Sequence, residues 1–234
     1  MLEVRDLSVY YGDAQALDRV SLKVDAGQIV ALIGANGAGK TSLIRTVAGI
    51  LKPRAGSILF DGKEIAGLDS HRVCNLGVGQ VAEGRQVFPS MSVLDNLQVG
   101  ALLPRARASA ATTLDHVFEM FPRLKERAGQ LAGTLSGGEQ QMLAIARVLR
   151  TGARVILLDE PTEGLAPVIV QRIGDVLVEL KKRGMTILLV EQNFRFARKV
   201  ADRFYLMEDG RMVNSFPGHE LDARMDELHE VLGV

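Results

Sequence analysis

The chain has 234 residues, with 28 acidic and 28 basic side chains, so its formal net charge is zero and its pI is about 6.9. This length is enough to bury a hydrophobic core without disulfides or a structural metal. The neutral balance argues against a strongly basic nucleic-acid binder. A composition that is 47% hydrophobic and 24% charged is typical of a folded globular protein. The single cysteine, Cys74, excludes an internal disulfide framework and fits a reducing cytosol.

No apolar run approaches the roughly 18 residues of a membrane-spanning helix. The longest runs, such as 29–33 and 155–158, have the length of β-strands. The first residues, MLEVRD, carry acidic side chains where a signal peptide has a basic patch followed by an apolar segment. We therefore expect no membrane span and no secretion of the chain.

Two half-buried strands of an antiparallel sheet are predicted at the N-terminus, with a turn at Gly12-Asp13. Continuous apolar runs at 29–33, 155–158 and 187–190 are typical of parallel strands that are covered on both faces. Interleaving of such strands with helices predicts an α/β core. The alternating apolar residues behind the first prediction are Leu2, Val4, Leu7, Val9, Val20, Leu22 and Val24.

Three helical regions are predicted later in the chain. Apolar residues recur on one face from Ile169 to Leu180, with Pro167 suited to the first turn and Gly184 to the C-terminal cap. The Ala-, Arg- and Leu-rich sequence that begins near residue 92 predicts a helical subdomain of approximately 92–150, inserted into a single domain of 1–234. Helical spacing of Leu221, Met225, Leu228 and Leu232 predicts a surface helix at the C-terminus.

A glycine-rich segment, GANGAGKT at 34–41, follows one of the predicted strands and precedes a helical pattern. Its glycines allow the backbone to wrap a polyphosphate with N–H groups pointing inward, and the helix N-terminus adds a positive dipole. Lys40 is expected to reach the β- and γ-phosphates, and Thr41 to ligate Mg²⁺. The alternative is a purely structural glycine turn, but the complete pattern with both flanks argues against it. We call residues 34–41 the phosphate loop.

Two carboxylates follow the buried run 155–158. Asp159 can hold Mg²⁺ through its hydration shell, and Glu160 can polarise a water molecule. An acidic pair after a strand is by itself more often a solvated strand end. A phosphate loop in the same chain favours the catalytic interpretation.

The segment LSGGEQ at 135–140 contains Ser136 and Glu139 at the spacing of a helix capping box. Two glycines in the first helical turn cost helix stability and leave backbone N–H groups open to an anion. Capping alone is therefore an incomplete account of this segment, which we call the signature.

Together and in this order, these motifs resemble the ATP-binding subunit of an ABC transporter, for which the signature is diagnostic. A phosphate loop alone would leave kinases and GTPases open, and the sequence contains no Asn-Lys-x-Asp guanine motif. The resemblance implies a P-loop NTPase fold of the ABC ATPase type, with a RecA-like parallel sheet core, an N-terminal antiparallel β subdomain and an α-helical subdomain. It also implies ATP and Mg²⁺ as cofactors and ATP hydrolysis coupled to transmembrane transport.

In that family two subunits pack head to tail, and each ATP lies between one subunit's phosphate loop and the other subunit's signature. The resemblance thus assigns the signature of this chain to the partner's nucleotide, Tyr11 to stacking on adenine, and the loop 163–166 to the dimer interface. The nucleotide-binding residues that it implies are Tyr11, Gly34, Ala35, Asn36, Gly37, Ala38, Gly39, Lys40, Thr41, Ser42, Glu83, Ser136, Gly137 and Gly138.

Two positions depart from the usual family pattern. Glu83 stands where the family has a glutamine that contacts Mg²⁺, and a glutamate can keep that role because it is an oxygen ligand. Gln192 stands where a histidine contacts the γ-phosphate, and a glutamine side chain carries no charge at pH 7. The implied catalytic residues are Glu160, Lys40 and Gln192, and the implied metal ligands are Thr41, Glu83 and Asp159.

Three short segments are similar to one of the two ATPase subunits of branched-chain amino-acid importers: EGRQVF at 83–88, GLAP at 164–167 and VEQN at 190–193. Urea and amide importers stay open, as does a soluble cofactor-assembly ATPase of the same fold. The partners implied are transmembrane permease subunits and a second ATPase subunit, in a heterodimer or a homodimer. A periplasmic or extracellular substrate-binding protein is an indirect partner, and nucleic acid is not one. The implied location is the cytoplasmic face of the cell membrane.

Apolar residues after Glu83 form a predicted docking loop for the permease. The apolar residues are Val87, Phe88, Met91 and Val93, with Pro89 and Ser90 between them in the sequence. Core packing is the ordinary fate of such residues, whereas an exposed apolar cluster marks an interface.

Overall fold

The computed structural model describes residues 1–107 and 110–225, and within these ranges ten strands form two sheets. The strands are β1 (Leu2–Tyr11), β2 (Ala14–Val24), β3 (Ile29–Ile33), β4 (Ala55–Phe60), β5 (Lys63–Glu64), β6 (Val78–Val81), β7 (Val155–Asp159), β8 (Thr186–Glu191), β9 (Arg203–Glu208) and β10 (Arg211–Pro217). The α-helices are α1 (Lys40–Val47), α2 (Ser70–Leu76), α3 (Val93–Gly100), α4 (Pro104–Arg107), α5 (Ala110–Met120), α6 (Pro122–Glu126), α7 (Gly137–Arg150), α8 (Pro167–Lys182) and α9 (Phe194–Val200).

The first sheet is antiparallel, in the order β2-β1-β4-β5. Leu2 pairs with Val24 and Val9 with Leu17, and all four side chains are buried. The turn between β1 and β2 lies at Gly12-Asp13. The predicted N-terminal antiparallel pair is therefore confirmed, although β2 begins at Ala14 and is longer than its alternating residues indicate.

The second sheet has the order β10-β9-β3-β8-β7-β6, and all its neighbours are parallel except β9 and β10. Both faces of β3 are covered. Ile29, Ala31 and Ile33 belong to the core that contains residues of α7, α8 and α9, whereas Val30 and Leu32 belong to the core beneath the antiparallel sheet and α1. Burial of alternate residues on opposite faces explains why the run is apolar throughout, and it confirms the predicted α/β core.

Helices α3 to α7 lie between β6 and β7, where the sequence predicts a helical insertion. Helix α3 packs on α7. That the segment 92–150 forms a subdomain within one domain of 1–234 stays a prediction. The predicted helix near Ile169 is α8, which has Pro167 in its first turn and is followed by Arg183 and Gly184.

At the C-terminus, a 3-10 helix occupies Gly218–Arg224, with Leu221 buried. Most of the surface helix predicted over 221–232 lies outside the described residues. Among the described residues, no helix combines the length and the apolar character that crossing a membrane requires.

Candidate nucleotide-binding and catalytic site

The phosphate loop connects the C-terminal end of β3 to α1, which begins at Lys40. Gly39 has a φ of 103°, and a Cβ built there would lie 2.9 Å from the Ala16 carbonyl oxygen, so a glycine is required. The Lys40 side chain is 4% exposed. Its Nζ donates to the carbonyl oxygens of Gly34 at 2.8 Å and Ala35 at 2.9 Å, which holds the ammonium over the loop.

The acidic pair lies at the end of β7, beside the phosphate loop. The Thr41 hydroxyl donates to Asp159 Oδ1 at 3.2 Å, and Glu160 Oε1 lies 3.6 Å from Lys40 Nζ. Burial raises the pKa of Asp159 to about 6; the Thr41 hydrogen bond opposes this shift, and the carboxylates of Glu160 and Glu83 add to it. The cluster therefore concentrates negative charge next to a single buried ammonium, which is an arrangement suited to a cation.

Gln192 follows β8 and lies against the Glu160 carboxylate. Its Nε2 donates to the two carboxylate oxygens of Glu160 at 3.1 and 3.3 Å, and also to Asn36 Oδ1 of the phosphate loop. An amide donor at this position links the carboxylate to the loop without adding a charge.

These groups surround one cavity of about 670 Å³. Tyr11 at its rim is 47% exposed, and its hydroxyl lies 3.3 Å from Ser42 Oγ. An exposed ring at the mouth of a polar cavity can stack on a planar ligand. The cavity is lined by Tyr11, Gln15, Ala16, Asn36, Gly37, Gly39, Lys40, Thr41, Ser42, Glu83, Glu160, Glu163, Gln192, Asp209 and Gly210.

The oxygen donors in and beside this cavity fit Mg²⁺. Within residues 1–107 and 110–225, no group of three or more His, Cys, Asp or Glu side chains is close enough to hold a metal alone. Mg²⁺ is usually bound through one or two carboxylates together with substrate phosphates and waters, so such a group is not needed. Thr41 and Asp159 are hydrogen-bonded to each other, and Glu83 lines the cavity, so the predicted ligands are brought to one side of the site.

Residues 17–163 match the family described as ABC transporter. The chain belongs to this family. It is 47% identical over 213 residues, 91% of each chain, to the high-affinity branched-chain amino acid transport ATP-binding protein BraG of Pseudomonas aeruginosa. It is 34% identical over 94% of each chain to the probable branched-chain amino acid transport ATP-binding protein LivF of Archaeoglobus fulgidus.

Solved structures agree with the ABC ATPase fold predicted from the motifs. One is the ADP conformation of an ATP-binding cassette of an ABC transporter, with a TM-score of 0.87 and 28% identity. It covers 99% of this chain and 96% of its own. A dimeric cassette structure described as a post-hydrolysis state with ADP and phosphate has a TM-score of 0.79 and 25% identity, covering 93% of this chain and 98% of its own. The nucleotide-binding ABC cassette is thus the fold of this chain.

The signature of this ABC ATPase lies outside the cavity. Ser136 caps α7, because its hydroxyl accepts from the Glu139 N–H while the Glu139 carboxylate accepts from the Ser136 N–H, so the predicted capping box is present. A Cβ on Gly137 would lie 2.5 Å from Nη1 of Arg85, so a larger residue there would displace the flexible guanidinium of Arg85. None of Ser136, Gly137 and Gly138 lines the cavity formed by their own chain.

Sequence reasoning missed Glu191, the last residue of β8. Its side chain is 2% exposed, and its carboxylate accepts hydrogen bonds from Thr162 and from the Asn193 N–H. Burial raises the pKa of Glu191 to about 7, although the Thr162 and Asn193 hydrogen bonds oppose this shift. The available indication was a carboxylate directly after the apolar run 187–190, in a strand that is otherwise buried.

The buried carboxyl of Glu191 should make the stability of this ABC ATPase depend on pH. Because its pKa of about 7 exceeds the 4.5 of an ordinary glutamate, the native state binds the proton more tightly than the unfolded state. This contribution to stability is present below the ordinary pKa and is lost as pH rises through about 7. Glu191→Gln removes the titration, so the variant should gain stability relative to the wild type as pH rises.

Urea unfolding at about pH 5 and about pH 8 measures this difference in the free energy of unfolding. Glu119→Gln, at an exposed carboxylate on α5, is the matched control for the loss of a carboxylate. The same Glu191→Gln difference at both pH values would contradict the expectation.

Proposed function

We propose that this chain is the ATP-hydrolysing, energy-coupling subunit of an importer for branched-chain or other hydrophobic amino acids. The observation that carries the proposal is the convergence of Lys40, Thr41, Glu160 and Gln192 on one cavity, in a chain whose signature lies outside it. The 47% identity to BraG, a branched-chain amino acid transport protein by name, supports the substrate class.

Several polar groups at or beside the cavity have roles in the proposed hydrolysis. Lys40 and the N–H groups of the phosphate loop hold the β- and γ-phosphates. Thr41, Asp159 and Glu83 would hold Mg²⁺, which would neutralise charge at the phosphates when bound. Glu160 accepts a proton from the attacking water. Its Oε1 lies 3.6 Å from Lys40 Nζ, so the carboxylate is at the phosphate end of the cavity. Gln192 orients that carboxylate through its amide.

A second ATPase subunit completes the proposed site. The N-terminus of α7, with Ser136, Gly137 and Gly138, offers N–H groups to the nucleotide of a partner, since its own chain's cavity is lined by other residues. Gln192 departs from the family's histidine, and this favours a heterodimer in which the two composite sites differ chemically.

The proposed docking surface for the permease centres on Phe88. Phe88 is 44% exposed, whereas Val93 is buried and Val87 packs against the core. Met91 is partly buried, so the four apolar residues divide between surface and core. Arg147 of α7 lies 4.8 Å from the Phe88 ring centroid. The fully buried Asn96 accepts from the Phe88 N–H at 2.9 Å and donates to the Phe88 carbonyl at 3.0 Å.

Attachment to permease subunits places the chain peripherally at the cytoplasmic face of the cell membrane. A tagged chain isolated from detergent-solubilised membranes should bring transmembrane subunits and a second ATPase subunit with it. Isolation without any membrane protein would instead favour the soluble cofactor-assembly ATPase, and amino-acid-independent uptake of urea would favour the urea importer.

Lys40→Ala should greatly weaken ATP binding, because the ammonium is the buried positive charge that the loop carbonyls hold near the phosphates. A charge-assisted contact of this kind contributes about 1.5 to 3 kcal/mol, so the Kd for ATP should rise by about 10- to 100-fold. Fluorescent-nucleotide titration measures this change. Lys52→Ala, at an exposed lysine near Asp69, should bind ATP as the wild type does, and equal affinities for all three proteins would contradict the assignment of Lys40.

Glu160→Gln should bind ATP and hydrolyse it about 10²- to 10⁴-fold more slowly, because the side chain loses its ability to accept a proton. With turnover removed, the ATP-bound pair of subunits should accumulate, and size-exclusion chromatography of the isolated complex with ATP detects it. Glu119→Gln, at an exposed carboxylate on α5 that does not line the cavity, is the control and should hydrolyse ATP as the wild type does. Wild-type turnover in Glu160→Gln would exclude its role as the general base.

Phe88→Glu should uncouple transport from ATP binding, because it puts a charge into the exposed apolar surface while the ring lies outside the core. Amino-acid uptake into membrane vesicles should fall and ATP affinity should stay unchanged. Val213→Glu, at another exposed apolar residue on β10, is the control. A parallel loss of thermal stability and uptake in Phe88→Glu would show that the ring serves packing instead.

A further inference from the structure

Glu191 lies between the two loops that carry Glu160 and Gln192. It ends β8, where it pairs with Ile33 of β3, and Gln192 is the next residue in the chain. Thr162, which is also buried, lies two residues after Glu160. Glu191, Thr162 and Asn193 do not line the cavity, but Glu160 and Gln192, which lie within two residues of them in the chain, do.

Each carboxylate oxygen of Glu191 holds a different loop. Oε1 accepts from the Thr162 N–H at 3.1 Å and from the Thr162 hydroxyl at 2.7 Å. Oε2 accepts from the Asn193 N–H at 3.3 Å. One side chain therefore joins the loop after β7 to the loop after β8. In the chain, Gln192 lies between Glu191 and Asn193, which are hydrogen-bonded to each other through this carboxylate.

The backbone around these contacts is also constrained. The Glu160 N–H donates to the Val190 carbonyl at 3.0 Å, so the two chain segments are already adjacent before the loops diverge. Asn193 caps α9, because its Oδ1 accepts from the Phe196 N–H at 3.1 Å. Gln192 thus has little freedom to move while the Glu191 contacts are intact.

A buried carboxylate is a costly way to join two loops. Within residues 1–107 and 110–225, no Lys or Arg forms an ion pair with Glu191, and the nearby Glu160 carboxylate repels it. A neutral glutamine could accept the two Thr162 hydrogen bonds at its one oxygen without the desolvation cost of a charge, but its NH2 group could not accept the Asn193 N–H. Such costs are typical of groups that serve a functional site rather than stability.

We propose that Glu191 is a positioning residue that holds the Gln192 amide against the Glu160 carboxylate. Its two oxygens set the separation between the loop of the general base and the loop of Gln192, and so determine whether the 3.1 and 3.3 Å contacts between these side chains form. This inference rests on the proposed hydrolysis and adds to it a residue that touches no substrate.

A double-mutant cycle between Glu191 and Gln192 tests this role. The complex is isolated with its membrane subunits, and ATPase turnover, ATP affinity and thermal unfolding are measured for Glu191→Ala, Gln192→Ala and the double variant. Displacement of a positioned group by about 1 Å costs up to about 100-fold, so Glu191→Ala should lower kcat by about 10- to 100-fold. The Kd for ATP should change by less than about twofold, because the phosphate loop is untouched.

Non-additivity separates positioning from a merely structural role. In the Gln192→Ala background, Glu191→Ala should lower kcat by less than about twofold, because the group that Glu191 positions has already been removed. The same fold loss in both backgrounds would overturn the inference, as would an unchanged kcat in Gln192→Ala alone. Glu119→Gln is the matched control at an exposed carboxylate and should leave kcat unchanged.

Thr162→Val keeps the test decisive where Glu191→Ala fails to fold. Valine preserves the volume of the side chain and removes the hydroxyl that donates to Glu191 Oε1. The decrease in kcat caused by Thr162→Val should also disappear in the Gln192→Ala background. A wild-type complex without ATPase activity would overturn the proposed function and this inference with it, whereas additive losses in an active complex would overturn this inference alone.

Discussion

The parallel pairing of β3, β8 and β7 positions the phosphate loop, Gln192 and the acidic pair at the nucleotide site. In this register Ile33 lies opposite Glu191 and Val190 lies opposite Asp159, so the three strands end at the same level. The phosphate loop, Gln192 and Glu160 follow these ends directly. Because the strands are buried on both faces, a shift of one residue in register would move apolar side chains out of one core and into the other. The hydrophobic core therefore holds the geometry of this site in place.

Burial of acidic side chains at these strand ends has an electrostatic cost that opposes the packing of the core. Asp159, Glu160 and Glu191 are acidic groups at or just after the ends of neighbouring buried strands, and the pKa values of Asp159 and Glu191 are raised to about 6 and about 7. Lys40, the hydroxyls of Thr41 and Thr162 and backbone N–H groups offset only part of the desolvation. A folded chain that holds carboxylates so close together favours ligands that carry cations, which is the situation with a metal-bound nucleotide.

The helical segment is connected to the site by hydrogen bonds as well as by packing. Arg147 of α7 donates to the Gln86 carbonyl and to Asn96 Oδ1, and its guanidinium lies over the Phe88 ring. Arg85 and Gln86 have φ values of 67° and 38°, a backbone conformation that is unfavourable for residues other than glycine. The segment between Glu83 and Phe88 is thus held by the same helix whose N-terminus is the signature. Helix α7 therefore contacts the segment after Glu83 and the Phe88 ring, and it carries the signature at its N-terminus.

The sequence by itself determined β1, β2, β3, β7 and β8, the phosphate loop, the acidic pair and the capping box, because each depends on residues within a few positions of one another. Apolar runs of strand length, glycines before Lys40 and the spacing of Ser136 and Glu139 all act locally. The long-range contacts were decided by the tertiary structure. The Gln192 amide reaches Glu160 and Asn36 only because parallel strands bring distant segments together. The hydrogen bond between Thr162 and the Glu191 carboxylate depends on the same pairing. Whether Phe88 or Val93 faced solvent was likewise open in the sequence, since both are apolar, and only the packing of α3 against α7 put one outside and the other in the core.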